Sequence, residues 1–266
     1  MPELQRDDIT LHYEITGTGP PLLLLAGMLS DSASWTPMIA RLSKSFTLIR
    51  PDNRTTGRTV PWDADCSFPI MAADALALMD HLGHAKFDVA GHSMGGLLAL
   101  ELAEIAQDRI ERLSILASAL GRLPRTVAVF DALLAIRRAP EGERLWLRAL
   151  FPWVFGQAFF ANPQNTETAL EAALAYPFAQ SAEAMAQQIA MFRAYRPAVD
   201  LAKLALPVQI ILGGQDILVP NEASRAGFAA LPDATTHVID DAGHSVIWDA
   251  PEAVASLLKA FHSGEE

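Results

Sequence analysis

The sequence is poor in cysteine, since Cys66 is the only one among 266 residues. A single cysteine excludes a disulfide scaffold and a cysteine-rich zinc site. No hydrophobic stretch reaches the roughly 18 residues that a membrane span requires, and the closest candidate covers only residues 21–29. The beginning of the chain lacks the basic and apolar regions of a secretory signal. We therefore expect a cytoplasmic protein that does not bind a membrane.

Basic residues are scarce relative to acidic ones. The chain has 20 lysines and arginines against 31 aspartates and glutamates, a formal net charge of −11. This charge repels the phosphate backbone of DNA or RNA, so we expect no nucleic-acid partner. Hydrophobic residues make up 51% of the chain and charged residues only 19%, which excludes wholesale disorder. A chain of this length can bury a core that needs no disulfide or metal ion.

Short apolar runs alternate with longer segments of helical periodicity. This alternation predicts an α/β fold, a sheet with helices on its faces. The run of leucines within residues 21–26 predicts a strand that is buried on both faces. The predicted strands are 9–16, 21–26, 46–50, 87–90, 110–117, 208–212 and 237–240, and the predicted helices outside the central segment are 34–42, 71–82, 94–106 and 252–261.

Residues 118–197 differ in character from the rest of the chain. They contain no convincing strand, and helices are predicted at 127–138, 143–150, 167–176 and 182–195. The segment holds 11 of the 20 aromatic residues, and its eight arginines and six acidic residues sum to +2, which leaves −13 for the remainder. An aromatic, slightly basic helical insertion is typical of a lid over a pocket, although helices packed only for stability would show the same pattern. We divide the chain into a core domain (1–117 and 198–266) and a helical cap (118–197).

The motif Gly-His-Ser-Met-Gly-Gly at residues 91–96 is the strongest chemical signal. It lies between the predicted strand 87–90 and the predicted helix 94–106, the context in which G-x-S-x-G forms a nucleophile elbow. Such a sharp turn projects the serine hydroxyl from the carboxyl edge of the sheet, and the glycines remove Cβ atoms that would collide. The helix that follows directs free N–H groups at the same place. We therefore predict Ser93 as a nucleophile.

A serine hydroxyl needs a base to accept its proton, and the base needs a carboxylate to orient it. His244 follows a predicted strand and precedes a helix, so it should lie on the same sheet edge as the serine. Asp216 follows the strand 208–212 and a pair of glycines, which makes it our first choice for the carboxylate. Asp240 and Asp241 remain alternatives because they are close to His244 in the chain.

An acyl-transfer site must also stabilise the negative oxygen that forms on the attacked carbonyl. The backbone N–H of Met94, directly after the serine, is one expected donor. The second is expected from the loop after strand 21–26, where Gly27 lets the backbone come close, and the N–H of Met28 is our choice. Each such donor is typically worth about 10²–10³ in rate.

At these residues the chain resembles the α/β-hydrolase superfamily, and the resemblance covers nearly its whole length. It extends from the elbow to the loop 51–58, the acid in Gly-Gly-Gln-Asp at 213–216 and Gly-His at 243–244. The resemblance implies a mostly parallel eight-stranded sheet with a helical cap inserted after the sixth strand. The chain is similar to the cofactor-free esterases, lactonases and enol-lactone hydrolases of this superfamily. It departs from them in the loop after the first buried strand, where Ala26 replaces the common histidine.

Three functions stay open. The first is a serine hydrolase that cleaves a small carboxylic ester or lactone through an acyl-enzyme. The second keeps the same triad but acts on a carbon–carbon bond or an enamide, although Ser245 replaces the tryptophan that many carbon–carbon bond hydrolases carry there. The third is a non-catalytic ligand sensor on the same scaffold.

The sequence also suggests substrate contacts and partners. Candidate substrate-binding residues are Gly27, Arg122, Trp146 and Trp153, and Arg122 suits an anionic substrate because guanidinium groups bind carboxylates in pairs of hydrogen bonds. No metal site is predicted. Neither G-x-G-x-x-G nor a Walker pattern occurs, so no cofactor is expected. The expected partner is a small-molecule ester, lactone or related acyl substrate, and a homodimer is left open.

Overall fold

The protein is described here by a computed structural model that covers residues 2–121 and 123–264. Within these residues, eight strands form one sheet. The strands are β1 (Glu3–Gln5), β2 (Thr10–Thr16), β3 (Pro21–Leu25), β4 (Thr47–Pro51), β5 (Phe87–His92), β6 (Ile110–Leu116), β7 (Val208–Gly213) and β8 (Ala234–Ile239).

Helices connect the strands and cover both faces of the sheet. They are α1 (Thr36–Leu42), α2 (Phe68–His81), α3 (Met94–Ala106), α4 (Pro124–Arg138), α5 (Gly142–Val154), α6 (Gln157–Phe160), α7 (Pro163–Leu174), α8 (Ala182–Ala194), α9 (Asn221–Gly227), α10 (Val246–Asp249) and α11 (Pro251–Ser263). No helix within residues 2–121 and 123–264 has both the length and the apolar character needed to cross a membrane.

The sheet has the order β1-β2-β4-β3-β5-β6-β7-β8. β1 pairs antiparallel with β2, and β2 pairs antiparallel with β4. All pairs from β4 to β8 are parallel. The carboxyl ends of β3, β5, β7 and β8 therefore lie along one edge, where residues that follow these strands can meet. The predicted α/β fold with an eight-stranded, mostly parallel sheet is confirmed.

The leucine run in β3 supplies both cores of the molecule. Leu23 and Leu25 pack into the larger apolar cluster, together with α2 and α3, whereas Leu22 and Leu24 pack into the cluster formed with α1 and α11. All four side chains are fully buried, and burial of a leucine side chain contributes about 1.5–3 kcal/mol. The prediction of a strand with two buried faces is confirmed.

Helices α4–α8 all lie between β6 and β7 in the chain. α8 packs on the core through Met185 and Ile189, which belong to the same apolar cluster as α2 and α3. α5 and α7 share a smaller cluster centred on Trp146, Phe151 and Leu170. The division into a core domain and a cap at residues 118–197 stays a prediction, but this region is helical, as expected.

β1 and α9 escaped the sequence reasoning because they bury little apolar surface, and the four-residue helices α6 and α10 were not predicted either. β1 has three residues, none of them fully buried, so it shows no alternation. In α9 only the polar Ser224 is buried, so no apolar stripe marks the helix. The strand β8 begins three residues before the predicted start because its first residues are exposed at the sheet edge. Hydrophobic periodicity cannot detect such elements.

Candidate active site

The elbow at the end of β5 holds Ser93 in a strained conformation. Its φ is 55° and its ψ is −115°, a region that costs a non-glycine residue about 1–3 kcal/mol. A Cβ at Gly91 would collide with the carbonyl oxygen of Gly95, and a Cβ at Gly95 would collide with that of Leu25. The two glycines therefore permit the close approach of β3, β5 and α3 that the turn requires.

Three side chains that are far apart in the sequence meet at this elbow. His244 Nε2 lies 2.9 Å from Ser93 Oγ, and His244 Nδ1 lies 2.8 Å from Asp216 Oδ2. His244 and Asp216 are buried, with 4% and 8% of their surface exposed. A histidine in this position can accept the serine proton while the carboxylate stabilises the ring that results.

The backbone after β7 holds the carboxylate in place. Asp216 Oδ1 accepts hydrogen bonds from the N–H groups of Leu218 at 2.9 Å and Val219 at 2.8 Å. Its other oxygen remains directed at His244. Asp240 and Asp241, the two alternatives, have exposed side chains. Asp216 is therefore the carboxylate that this geometry pairs with His244.

His92 contacts the loop that carries His244. Its Nε2 donates to the carbonyl oxygen of His244 at 2.9 Å, with the proton assigned to Nε2 because a carbonyl can only accept. Burial, and then the neighbouring His244, lower the pKa of His92 to about 4. The ring is therefore neutral at neutral pH and fixes the backbone that carries His244.

A cavity of about 650 Å³ opens at Ser93. Apolar side chains of α3, α4 and α8 form its walls, among them Leu97, Phe130 and Phe192. Tyr195 also lines the cavity, but its hydroxyl donates to Glu101 Oε1 at 2.7 Å. Burial and this contact raise the pKa of Tyr195 well above its usual value, so the phenol stays protonated. The cavity suits a small, partly apolar molecule.

The predicted oxyanion donors belong to residues that line this cavity beside Ser93. Met94 is the first residue of α3, so its N–H has no carbonyl partner within the helix. Met28 follows Gly27, where a Cβ would lie 3.2 Å from His92 Nδ1 and 3.3 Å from Ser93 Cβ. The absence of a side chain at Gly27 therefore lets the loop after β3 lie against the elbow.

The arginines of the cavity differ in how they are paired. Arg193 donates to both carboxylate oxygens of Asp131, each at 2.7 Å. Arg196 also lines the cavity, and its guanidinium donates to the backbone carbonyls of Arg193 and Tyr195. Backbone carbonyls carry no net charge, so these contacts do not neutralise the positive charge of Arg196. Arg122, the predicted anion-binding residue, lies outside the described residues.

The two candidate tryptophans do not line the cavity at Ser93. Trp146 lines a second cavity of about 960 Å³, between α5, α7 and the loop after β3, where its ring packs 4.6 Å from the Arg137 guanidinium. Its role in substrate binding stays a prediction, and the structure places it in this second cavity and not in the one at Ser93. Trp153 packs against Leu218 and Val219, which do line the Ser93 cavity. Trp153 therefore contacts residues of the cavity wall without lining the cavity itself.

The sequence reasoning assigned no role to two buried polar residues in helices α8 and α11. Gln188 in α8 and His262 in α11 are 0% and 3% exposed. Each lies on the apolar face of its helix, next to Ile189 in one case and four residues after Leu258 in the other. A polar residue in an apolar stripe was the available signal. Within residues 2–121 and 123–264, no three histidine, cysteine or carboxylate side chains are grouped so as to hold a metal ion.

The comparison with known proteins agrees with this architecture. RutD of Azorhizobium caulinodans, a protein named as a carbamate hydrolase, is 29% identical over 98% of both chains. A thermophilic esterase from Thermogutta terrifontis, solved with malate bound, is 28% identical with a TM-score of 0.83, covering 96% of this chain and 94% of its own. The enol-lactonase from Burkholderia xenovorans shares the fold with a TM-score of 0.84 at 24% identity, covering 98% of this chain and 100% of its own.

The family model described as the alpha/beta hydrolase fold matches residues 20–251. This match spans the sheet from just before β3 to the beginning of α11, and it includes the elbow and both other members of the predicted triad. The chain therefore belongs to the alpha/beta hydrolase fold family and is a hydrolase of that fold.

Proposed function

We propose that this hydrolase cleaves a small carboxylic ester or lactone with Ser93 as its nucleophile. The observation that carries the proposal is the chain of hydrogen bonds from Ser93 Oγ through His244 to Asp216, 2.9 and 2.8 Å long, beside a cavity. A ligand sensor does not need a strained serine, a base and a buried carboxylate in contact. These features favour catalysis over binding alone.

The reaction proceeds in two halves. Ser93 Oγ attacks the substrate carbonyl while His244 Nε2 takes the hydroxyl proton, and Asp216 stabilises the charged ring. The N–H groups of Met28 and Met94 bind the negative oxygen of the tetrahedral intermediate. Collapse of this intermediate expels the alcohol, which receives the proton from His244, and leaves an acyl group on Ser93. Water activated by His244 then releases the carboxylic acid.

A carbamate is the second candidate substrate class. RutD, with 29% identity across 98% of the chain, is named for that activity. The same steps would form a carbamoyl group on Ser93 in place of an acyl group. The carbamate nitrogen donates electrons to the carbonyl, so attack on a carbamate is slower than attack on the matched ester. Measuring kcat/KM on a matched ester and carbamate therefore distinguishes the two substrate classes.

An anionic substrate is consistent with the charges around the cavity. Arg196 carries a positive charge at the cavity, whereas Arg193 is paired with Asp131. The related esterase from Thermogutta terrifontis was solved with malate, a dicarboxylate. We therefore propose that the preferred substrate carries a carboxylate distant from the bond that is cleaved, bound by Arg196 with or without Arg122.

A substrate panel tests the proposal directly. It contains nitrophenyl acetate and butyrate, the matched nitrophenyl carbamate, several lactones and a vinylogous diketone that reports carbon–carbon cleavage. A fluorophosphonate should label the wild-type protein at Ser93. In Ser93→Ala, turnover should fall by about 10⁴-fold or more with the melting temperature nearly unchanged. Ester turnover that survives in Ser93→Ala would rule out the proposed mechanism.

A further inference from the structure

Gln188 is a polar side chain of α8 placed deep in an apolar environment. It is 0% exposed, and its helix neighbours Met185 and Ile189 belong to the main core cluster. Its Oε1 accepts a hydrogen bond from the backbone N–H of Leu29 at 3.0 Å. Its Nε2 is buried and has no hydrogen-bond partner among the described residues. Burial of a half-satisfied amide is unfavourable, so this contact has a cost that core packing alone does not explain.

The partner of Gln188 is itself in an unusual conformation. Leu29 has a φ of 64°, in the left-handed region that residues with a side chain rarely adopt. The intrinsic backbone preference of a leucine therefore disfavours the conformation observed at Leu29. The hydrogen bond from its N–H to Gln188 is a long-range contact, 159 residues away in the chain, that holds this conformation.

Leu29 directly follows the proposed oxyanion donor. Met28 lines the cavity beside Ser93, whereas Leu29 lines the second cavity on the other side of the loop. The two peptide groups that flank the Cα of Met28 are planar, so only two torsions separate the Leu29 N–H from the Met28 N–H. When Gln188 fixes one of these peptides, the direction of the other is restricted.

We infer that Gln188 is a positioning residue of the reaction: it holds Leu29 in the left-handed conformation and thereby aims the Met28 N–H at the oxyanion. This inference rests on the proposed function. It also joins the inserted helices to the chemistry, because α8 supplies both Gln188 and Phe192 of the cavity wall.

Replacement of the acceptor tests the inference. Gln188→Met has a similar length but no strong acceptor, and its kcat should fall about 10-fold or more with KM changed less than about 2-fold. The loss appears in kcat because the oxyanion exists only after attack on the carbonyl. Gln188→Glu retains an oxygen at the same place and should recover most of kcat. Gln187→Met is the matched control, since Gln187 donates to Ala64 O elsewhere on the core, and its kcat should equal that of the wild type.

A second readout separates positioning from structure. Phenylboronic acid forms a tetrahedral adduct with an active-site serine, so its affinity should fall in Gln188→Met by about the same factor as kcat. A purely structural role would instead lower the melting temperatures of the Met and Glu variants and leave kcat of the folded protein unchanged. Wild-type kcat and wild-type boronate affinity in Gln188→Met would overturn the inference.

The outcomes distinguish this inference from the proposed function. Turnover that survives in Ser93→Ala overturns both, whereas an inactive Ser93→Ala beside a fully active Gln188→Met overturns only the role of Gln188. If Gln188→Met does not fold, Leu29 can be replaced by its α-hydroxy analogue, which exchanges the N–H for an oxygen and leaves Gln188 intact. The same loss of kcat is expected there, and an unchanged kcat overturns the inference.

Discussion

His262 Nε2 lies 2.8 Å from Ser114 Oγ, as close as His244 Nε2 lies to Ser93 Oγ at 2.9 Å. Asp88 Oδ2 lies 3.1 Å from Nδ1 of His262, so the molecule contains a second serine–histidine–aspartate arrangement by distance, although this nitrogen makes no hydrogen bond among the described residues. Its three members are at most 5% exposed and lie where β5, β6 and α11 pack together. Triad distances alone therefore do not identify an active site, because Ser93 differs in its strained turn and in its cavity.

Ser114→Ala should reduce stability and leave catalysis intact. The change removes the hydroxyl that contacts His262 and Gln209, and loss of a buried hydrogen-bond partner costs about 1–3 kcal/mol. Urea unfolding should report this loss, while kcat on nitrophenyl acetate should stay within about 2-fold of the wild type. A loss of kcat as large as that of Ser93→Ala would contradict the assignment of the nucleophile.

Asp216→Asn should lower kcat by about 10³–10⁴-fold with the fold retained. The amide oxygen can still accept from Leu218 and Val219, so the NH₂ group faces His244 Nδ1. This contact forces the proton of the ring onto Nε2, which can then no longer accept the proton of Ser93. Steady-state kinetics and circular dichroism test it, with the exposed Asp240→Asn as a control of unchanged kcat. Equal kcat for both variants would remove Asp216 from the mechanism.

His92 should make the protein less stable in mild acid. Burial, and then the nearby His244, depress its pKa to about 4, below the value of about 6.5 expected in the unfolded chain. The unfolded state therefore binds more protons between these pH values, and stability falls as the pH drops from about 6.5 towards 4. The loss amounts to at most about 3 kcal/mol over this range.

Urea unfolding at pH 4.5, 5.5, 6.5 and 7.5 measures this effect. In His92→Gln the decline of unfolding free energy with falling pH should be clearly smaller than in the wild type. His84→Gln, in the loop between α2 and β5, should keep the wild-type slope. Parallel slopes in all three proteins would show that His92 does not carry the acid sensitivity.

Arg196→Ala should discriminate between charged and neutral substrates. We expect kcat/KM on a carboxylate-bearing nitrophenyl ester to fall about 3- to 5-fold, the scale of a partly exposed ion pair, with less than about 1.5-fold change on the matched neutral ester. Arg122→Ala, measured beside it, tests the sequence-based candidate. Arg144→Ala is the control, because Arg144 pairs with Glu167 and Glu171 on the surface. Equal losses on both esters would contradict the anionic-substrate proposal.

The fold could be predicted from the sequence where periodicity is strong. The leucine run of β3 and the helix after the elbow carry their structure in local apolar spacing, and α3 begins and ends at the predicted residues 94 and 106. β1 and α9 could not be found this way because they bury almost no apolar surface.

Part of the candidate site could also be predicted from local sequence. Gly91, Ser93 and Gly95 form a contiguous motif whose backbone requirements are local, so the elbow could be located from sequence. The pairing of Asp216 with His244 was a choice among rivals, and coordinates were needed to show that Asp240 and Asp241 are exposed. The cavity that Trp146 lines could not be predicted, since aromatic content does not specify which face a helix presents.

The sequence alone determined most of the strands and longer helices and the turn that carries Ser93, because these depend on residues within a few positions of one another. Only the tertiary structure decided which serine opens on a cavity, which carboxylate meets His244 and where Gln188 contacts Leu29. These contacts join residues 28 to 159 positions apart. No local preference encodes such distances, since they result from the packing of the whole sheet and its helices.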